Sequence, residues 1–148
     1  MSRAQPEADG EEVSVKTRWL DRHIAFPGPY LTLCLSAEEF QAAIAHLKSP
    51  EVPRWVSHGA DATAHFFDNP DGKTVAVVCL GENLKKRTPV EIAGMLVHEA
   101  VHVWQQYCRD IGERHPGNEQ EAYAIQNIAQ ELMAEFARRT TKLSKGKS

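Results

Sequence analysis

The sequence predicts an α+β domain, a small antiparallel sheet packed against helices, with the chemistry carried by the two last helices. Three observations carry this expectation. Short apolar runs alternate with one helical segment over residues 31–80. A long helix opens behind strong start signals at Thr88. A second long helix follows a Gly/Pro loop at 112–117. The predicted order is strand, helix, strand, strand, helix, helix.

Each element has its own warrant. Residues 1–12 (MSRAQPEADGEE) are polar and acidic and are expected to form a disordered tail. Val13–Leu20 reads as a strand or an irregular lead-in. Phe26-Pro27-Gly28-Pro29 is turn chemistry, and Leu31–Leu35 is a short apolar strand. Ser36-Ala37-Glu38-Glu39 matches the S-x-x-E capping box, and Phe40, Ala43, Ile44 and Leu47 recur at helical spacing behind it. Pro50 and Pro53 are expected to end that helix. Ala62–Phe67 and Thr74–Leu80 read as strands joined through Asp68-Asn69-Pro70-Asp71-Gly72, an antiparallel hairpin with a five-residue loop.

The next helix carries three start signals together: Thr88 as N-cap, Pro89 at the first helical position and Glu91 closing the capping box. It is expected to reach about Asp110, with Ala93, Leu96, Val97, Ala100, Val101, Trp104 and Cys108 as its core stripe. Asn118 or a neighbour starts the last helix, which runs to about Arg139 and buries Ala122, Ile125, Ala129, Leu132 and Phe136. Lys142–Ser148 reads as a short basic tail. Residues 13–141 are thus one domain, as the 148-residue length suggests.

Composition excludes several classes. Seventeen Lys plus Arg against twenty Asp plus Glu give a formal charge of −3, which argues against a general nucleic-acid binder. No apolar run approaches the ~18 residues that would cross a bilayer. The first dozen residues lack the apolar stretch of a secretory leader. Cys34, Cys79 and Cys108 are widely spaced and odd in number, so a disulfide framework or zinc ribbon is not expected and a reducing cytoplasm fits.

The chemistry-bearing motif is His98-Glu99-Ala100-Val101-His102, an HExxH within the Thr88 helix. Positions i and i+4 lie on one helix face, so both imidazoles are placed to share one zinc ion. Glu99 is one position further round, free of a ligating role, and placed to take a proton from water as a general base. Gly94, one turn before His98, is expected to leave room above the site. A catalytic zinc needs a third protein ligand and an open position. Glu119 and Glu121 on the last helix compete for that role, with His115 a third candidate. Asn118 to Glu121 is also N-x-x-E, a capping box that would give Glu121 a structural task.

An HExxH helix followed by a second helix bearing a glutamate resembles the gluzincin metallopeptidases, of which the ImmA/IrrE regulatory proteases of phages and mobile elements are a compact example. The likeness covers roughly residues 74–139. Many gluzincins carry E-x-x-A-[DN] on the second helix with the first glutamate as ligand. Laid on Glu119-Gln120-Glu121-Ala122-Tyr123, this implies the ligand set His98, His102 and Glu119, with Glu121 as the alternative, and one Zn2+ per chain. Tyr123 departs from the pattern, standing where those families often place Asp or Asn. The strings HEAVHVWQ and EAYAIQ are also similar to small phage and bacterial proteins of this length. The resemblance implies a zincin-like domain over 13–141 that hydrolyses peptide bonds, with an extended peptide or protein substrate lying along Thr74–Leu80 by strand addition. The competing expectation is a non-catalytic, zinc-stabilised binding or regulatory protein of phage or bacterial origin. A nucleic-acid-linked protease of the SprT type is weakened by the acidic balance and the missing zinc ribbon.

Other residues have plainer expectations. Arg114, His115 and Tyr123 lie near the motif in sequence, and the pattern does not choose which of them stabilises an oxyanion. Cys79 is a candidate thiolate ligand as in peptide deformylases, but the surrounding Val78-Cys79-Leu80-Gly81 lacks their motif, and a buried strand cysteine is expected. Trp104, Tyr107 and Phe136 read as core. Lys85-Lys86-Arg87 and Arg138-Arg139 read as solvated charge. His58 and His65 read as ordinary surface or satisfied histidines.

Overall fold

The computed structural model describes residues 15–20 and 29–145, the last four of these as backbone only. The expected tail at 1–12, the start of the lead-in and most of the turn at 26–29 lie outside the described residues.

The fold is α+β, three helices around a three-stranded sheet. Its order is β1 (Tyr30–Cys34), α1 (Ala37–Leu47), β2 (Ala62–Asp68), β3 (Thr74–Leu80), a 3-10 turn (Glu82–Lys86), α2 (Pro89–Ile111) and α3 (Asn118–Lys145). The sheet order is β1-β3-β2. β2 and β3 form the expected antiparallel hairpin, in register from Ala62↔Leu80 to Asp68↔Thr74. β1, however, pairs with β3 in parallel, Tyr30↔Val75 to Cys34↔Cys79, so the sheet is mixed rather than antiparallel. The crossover through α1 and the hairpin forces this. It returns the chain to the same end of the sheet before β3 begins.

Alternation along the strands makes two cores. Leu31, Leu33, Ala76, Val78 and Leu80 face α2 and α3. Cys34, Val75, Val77 and Cys79 face Phe40, Ala43, Ile44 and Leu47 of α1. Covered on both sides, β3 reads as a continuous apolar run. Its two edges are also occupied, which overturns the expectation that a peptide adds to Thr74–Leu80.

Ser36 caps α1 by accepting the Glu39 N–H, while Glu39 takes the Leu35 N–H, one residue outside the expected box. The helix ends at Lys48 in the left-handed region, two residues before Pro50. The complete capping box at Thr88 and Glu91 starts α2, and Gly112, with φ of 71°, stops it. On α2 the buried stripe is Ile92, Leu96, Glu99, Ala100, Val103, Trp104, Tyr107 and Cys108. It is rotated from the expected one, since Val97 is exposed and Val103 is buried. That rotation carries Glu99 inward. Gly94 has open space where a Cβ would stand. α3 buries Ala124, Ile128, Ala129 and Leu132, with Ile125 and Phe136 packed beside them and Ala122 exposed. It runs through the expected end at Arg139 and into the basic segment. Among the described residues no helix is long and apolar enough to cross a membrane.

His65 is partly buried on the α1 side of β2, with Nε2 2.9 Å from the Trp55 carbonyl and its ring 4.8 Å from that of Phe40. Burial pushes its pKa below 6.5, against the Trp55 contact that favours the charged form. A folded-state pKa below the unfolded value means that the unfolded chain takes up more protons. The stability tied to neutral His65 is therefore complete above about pH 6.5 and declines as pH falls through that value. Thermal unfolding at pH 7.5 and pH 5.5 should show a larger acid loss in the native chain than in His65→Gln. Equal losses would remove His65 from the pH response.

Candidate metal and catalytic site

α2 presents His98 and His102 on its exposed side, one turn apart. Their Nε2 atoms face each other at 3.1 Å, with ring centroids 4.7 Å apart and planes at 76°. Tetrahedral ligation with Zn–N bonds of about 2.0–2.1 Å would set two imidazole nitrogens roughly 3.3 Å apart. The pair thus has the spacing of two nitrogens converging on one cation. His102 Nδ1 lies 3.1 Å from Gln105 Oε1. An amide oxygen accepts only, so Nδ1 carries the proton and Nε2 keeps its lone pair toward His98. Gln105 stands three residues after His102, a helical spacing that could have revealed it in the sequence.

Glu99 is 5% exposed. The rotated α2 stripe sends its carboxylate toward β2, where the backbone N–H of Ala64 donates to it. Burial pushes its pKa up, while His98, His102 and the Ala64 N–H favour the ionised form. The Ala64 contact also identifies the edge of the sheet that is open among the described residues. Gly81 N–H donates to Asp61 O at one end of the hairpin, and Asn69 N–H donates to Lys73 O at the other. Odd-numbered residues of β2 therefore bond across to β3. Ala62, Ala64 and Phe66 turn their backbone groups outward, beside Glu99.

The two candidate glutamates of α3 part company. Glu121 lies on the stripe of Ala124, Ile128 and Leu132, and its Oε2 accepts the indole N–H of buried Trp104 at 2.8 Å. Its backbone N–H bonds Gly117 O, which makes Gly117 the residue before the helix. The expected capping box from Asn118 does not form, because the Glu121 carboxylate goes to Trp104 instead. Glu119, two positions away, is on the exposed side of α3 and bonds to no described residue. Among the described residues no three His, Cys, Asp or Glu side chains are gathered at metal-binding spacing. The structure brings together His98 and His102 and sets neither glutamate with them.

The remaining candidates fall away from the pair. Arg114 and His115 are exposed in the 112–117 loop, where the His115 N–H bonds Glu113. Tyr123 is 61% exposed. None of the three bonds to His98, Glu99 or His102. Cys79 is fully buried on the α1 face of the sheet. Its hydrogen bond with the free Cys34 thiol and then its burial push its thiol far above the ordinary range, which removes the thiolate a metal would need.

The donor set fits zinc as far as it is assembled: two neutral imidazole nitrogens at ligand spacing, with carboxylates on the facing helix. No family model, no curated protein and no solved structure matches the chain.

Proposed function

We propose that this protein is a zinc-dependent peptidase whose metal is held by His98, His102 and a glutamate of α3. The observation that carries the reading is the His98–His102 pair, Nε2 to Nε2 at 3.1 Å, with buried Glu99 turned toward the outer edge of β2. Zinc supplies Lewis-acid polarisation of the scissile carbonyl and makes water a nucleophile near neutral pH.

The chain's own residues supply the rest. Gln105 fixes the His102 tautomer that leaves Nε2 free to ligate. Of the two candidate glutamates, Glu121 is the better supported, because it lies on the side of α3 that packs on α2 and Trp104 holds one of its oxygens. Glu99 accepts a proton and passes it to the leaving amine. The outward backbone groups of Ala62 and Phe66 and the Ala64 carbonyl take an extended substrate by strand addition, in place of β3, while the Ala64 N–H stays with Glu99. Three buried free cysteines fit a cytoplasmic setting.

A second reading has its own support. The Glu99–Ala64 contact ties α2 to β2, so the same carboxylate would serve a non-catalytic protein that uses zinc for stability. Both readings require metal. Purified without chelator and titrated with zinc, the chain should bind one equivalent, and His98→Ala should bind none at the same concentration. A native chain that takes up no zinc at micromolar metal overturns both.

A further inference from the structure

At the outer edge of β1 the residues 15–18, β1 itself, the first turn of α1 and the last third of α3 enclose a cavity of about 140 Å3. The charges around it are Lys16, Arg18, Glu39, Glu135, Arg138 and Arg139. Arg138 and Arg139 are thus no solvated pair, as the sequence suggested. Arg138 grips Glu135 with two bonds, Nε to Oε2 at 2.8 Å and Nη2 to Oε1 at 2.7 Å. Arg18 Nε stands 3.2 Å from the same Oε2. Arg139 bonds Leu33 O at 3.1 Å through Nη1 and Glu39 through Nη2. Glu135 is buried, which pushes its carboxyl up. The Arg138 bonds, and the charges of Arg138, Arg18 and Arg139, outweigh that and hold it below the ordinary range.

Four cationic side chains therefore face two carboxylates, an excess of two positive charges. Among the described residues the donors do not all find acceptors. Arg139 has both terminal nitrogens committed. Toward the described residues Arg138 leaves Nη1 unused, Arg18 leaves both Nη groups unused, and Lys16 makes no bond. Guanidinium forks with unspent donors around a small cavity suit an oxyanion, with charge-assisted bonds from several directions. Glu135 then acts as a positioning residue that holds Arg18 and Arg138 side by side.

We propose that this cavity binds one dianionic oxyanion of the phosphate type, held by Lys16, Arg18 and Arg138. The ligand is free phosphate or the terminal phosphate of a monoester, since both present the same group. The site stands at the opposite edge of the sheet from β2, so it is independent of the peptidase reading.

Calorimetric titration of the full chain with inorganic phosphate, at fixed ionic strength in chloride, tests it. Saturable one-to-one binding is expected. Arg18→Gln and Lys16→Gln should each weaken it about tenfold, the loss of one charge-assisted contact. Arg18→Gln leaves both Arg138–Glu135 bonds in place, so far-UV circular dichroism should show a folded chain. His98→Ala should bind phosphate as the native chain does. A parallel titration with phosphoserine separates the sources: tighter binding than inorganic phosphate marks a monoester site, and weaker binding marks a free-phosphate site. The proposal is overturned if phosphate gives no heat beyond that of matched chloride, if both cation variants bind as tightly as the native chain, or if His98→Ala abolishes binding.

Discussion

Glu99→Gln is expected to keep zinc and fold while peptide hydrolysis falls by about 10²–10⁴-fold, the usual worth of a positioned general base. The substitution is nearly isosteric, and the glutamine oxygen still accepts the Ala64 N–H, so the α2–β2 contact survives. What disappears is the basic oxygen. The measurements are zinc content, thermal midpoint and turnover on an unbiased peptide library, native and variant side by side. Undiminished turnover would remove Glu99 from the chemistry. A zinc-loaded native chain that cleaves no peptide, with a variant as stable as the native, would favour the non-catalytic reading. A variant that loses zinc or melts early would show that Glu99 holds the site together, and Glu99→Asp would then separate charge from reach.

Local signals in the sequence located most of the fold. Ser36, Thr88-Pro89-Val90-Glu91 and Gly112 mark helix ends through bonds within four residues, and the structure places ends at or beside them. The β2–β3 hairpin was legible for the same reason, since its turn residues are contiguous. The parallel pairing of β1 with β3 was not, because it joins residues some 45 positions apart and depends on the crossover. The α2 stripe sits one notch round from where the apolar spacing puts it. Val97 and Val103 are equally apolar, and only the placement of the sheet and α3 decides which is covered. Spacing alone predicts a base at Glu99, but its burial against Ala64 depends on where the sheet sits. Arg138 and Arg139 read as solvated charge in the sequence because their carboxylate partners, Glu135 and Glu39, include one a hundred positions away.

Glu121 and Glu119 are separated by the same kind of long-range fact, and the separation has a measurable consequence. The two residues are two apart on a helix, about 200° around its axis, so they cannot both face α2. Glu121 faces it and is held there by the Trp104 indole. Glu121→Gln should therefore lower zinc affinity by more than the roughly 10–100-fold typical of losing a supporting contact around a metal, because it exchanges an anionic ligand for a neutral one. Glu119→Gln should change affinity less than twofold. Competition with a chromophoric chelator reads both, and the thermal midpoints of the zinc-free chains show whether either change disturbs the fold. Trp104→Phe, which removes only the indole N–H bond and part of a buried ring, should fall between them at about 10–100-fold. The reverse order, with Glu119→Gln losing the metal, would restore the ligand set His98, His102 and Glu119 and make the Trp104 bond purely structural. Full affinity in both variants would leave α3 without a ligand. The two-helix metallopeptidase arrangement would then fail, although His98 and His102 bind the ion.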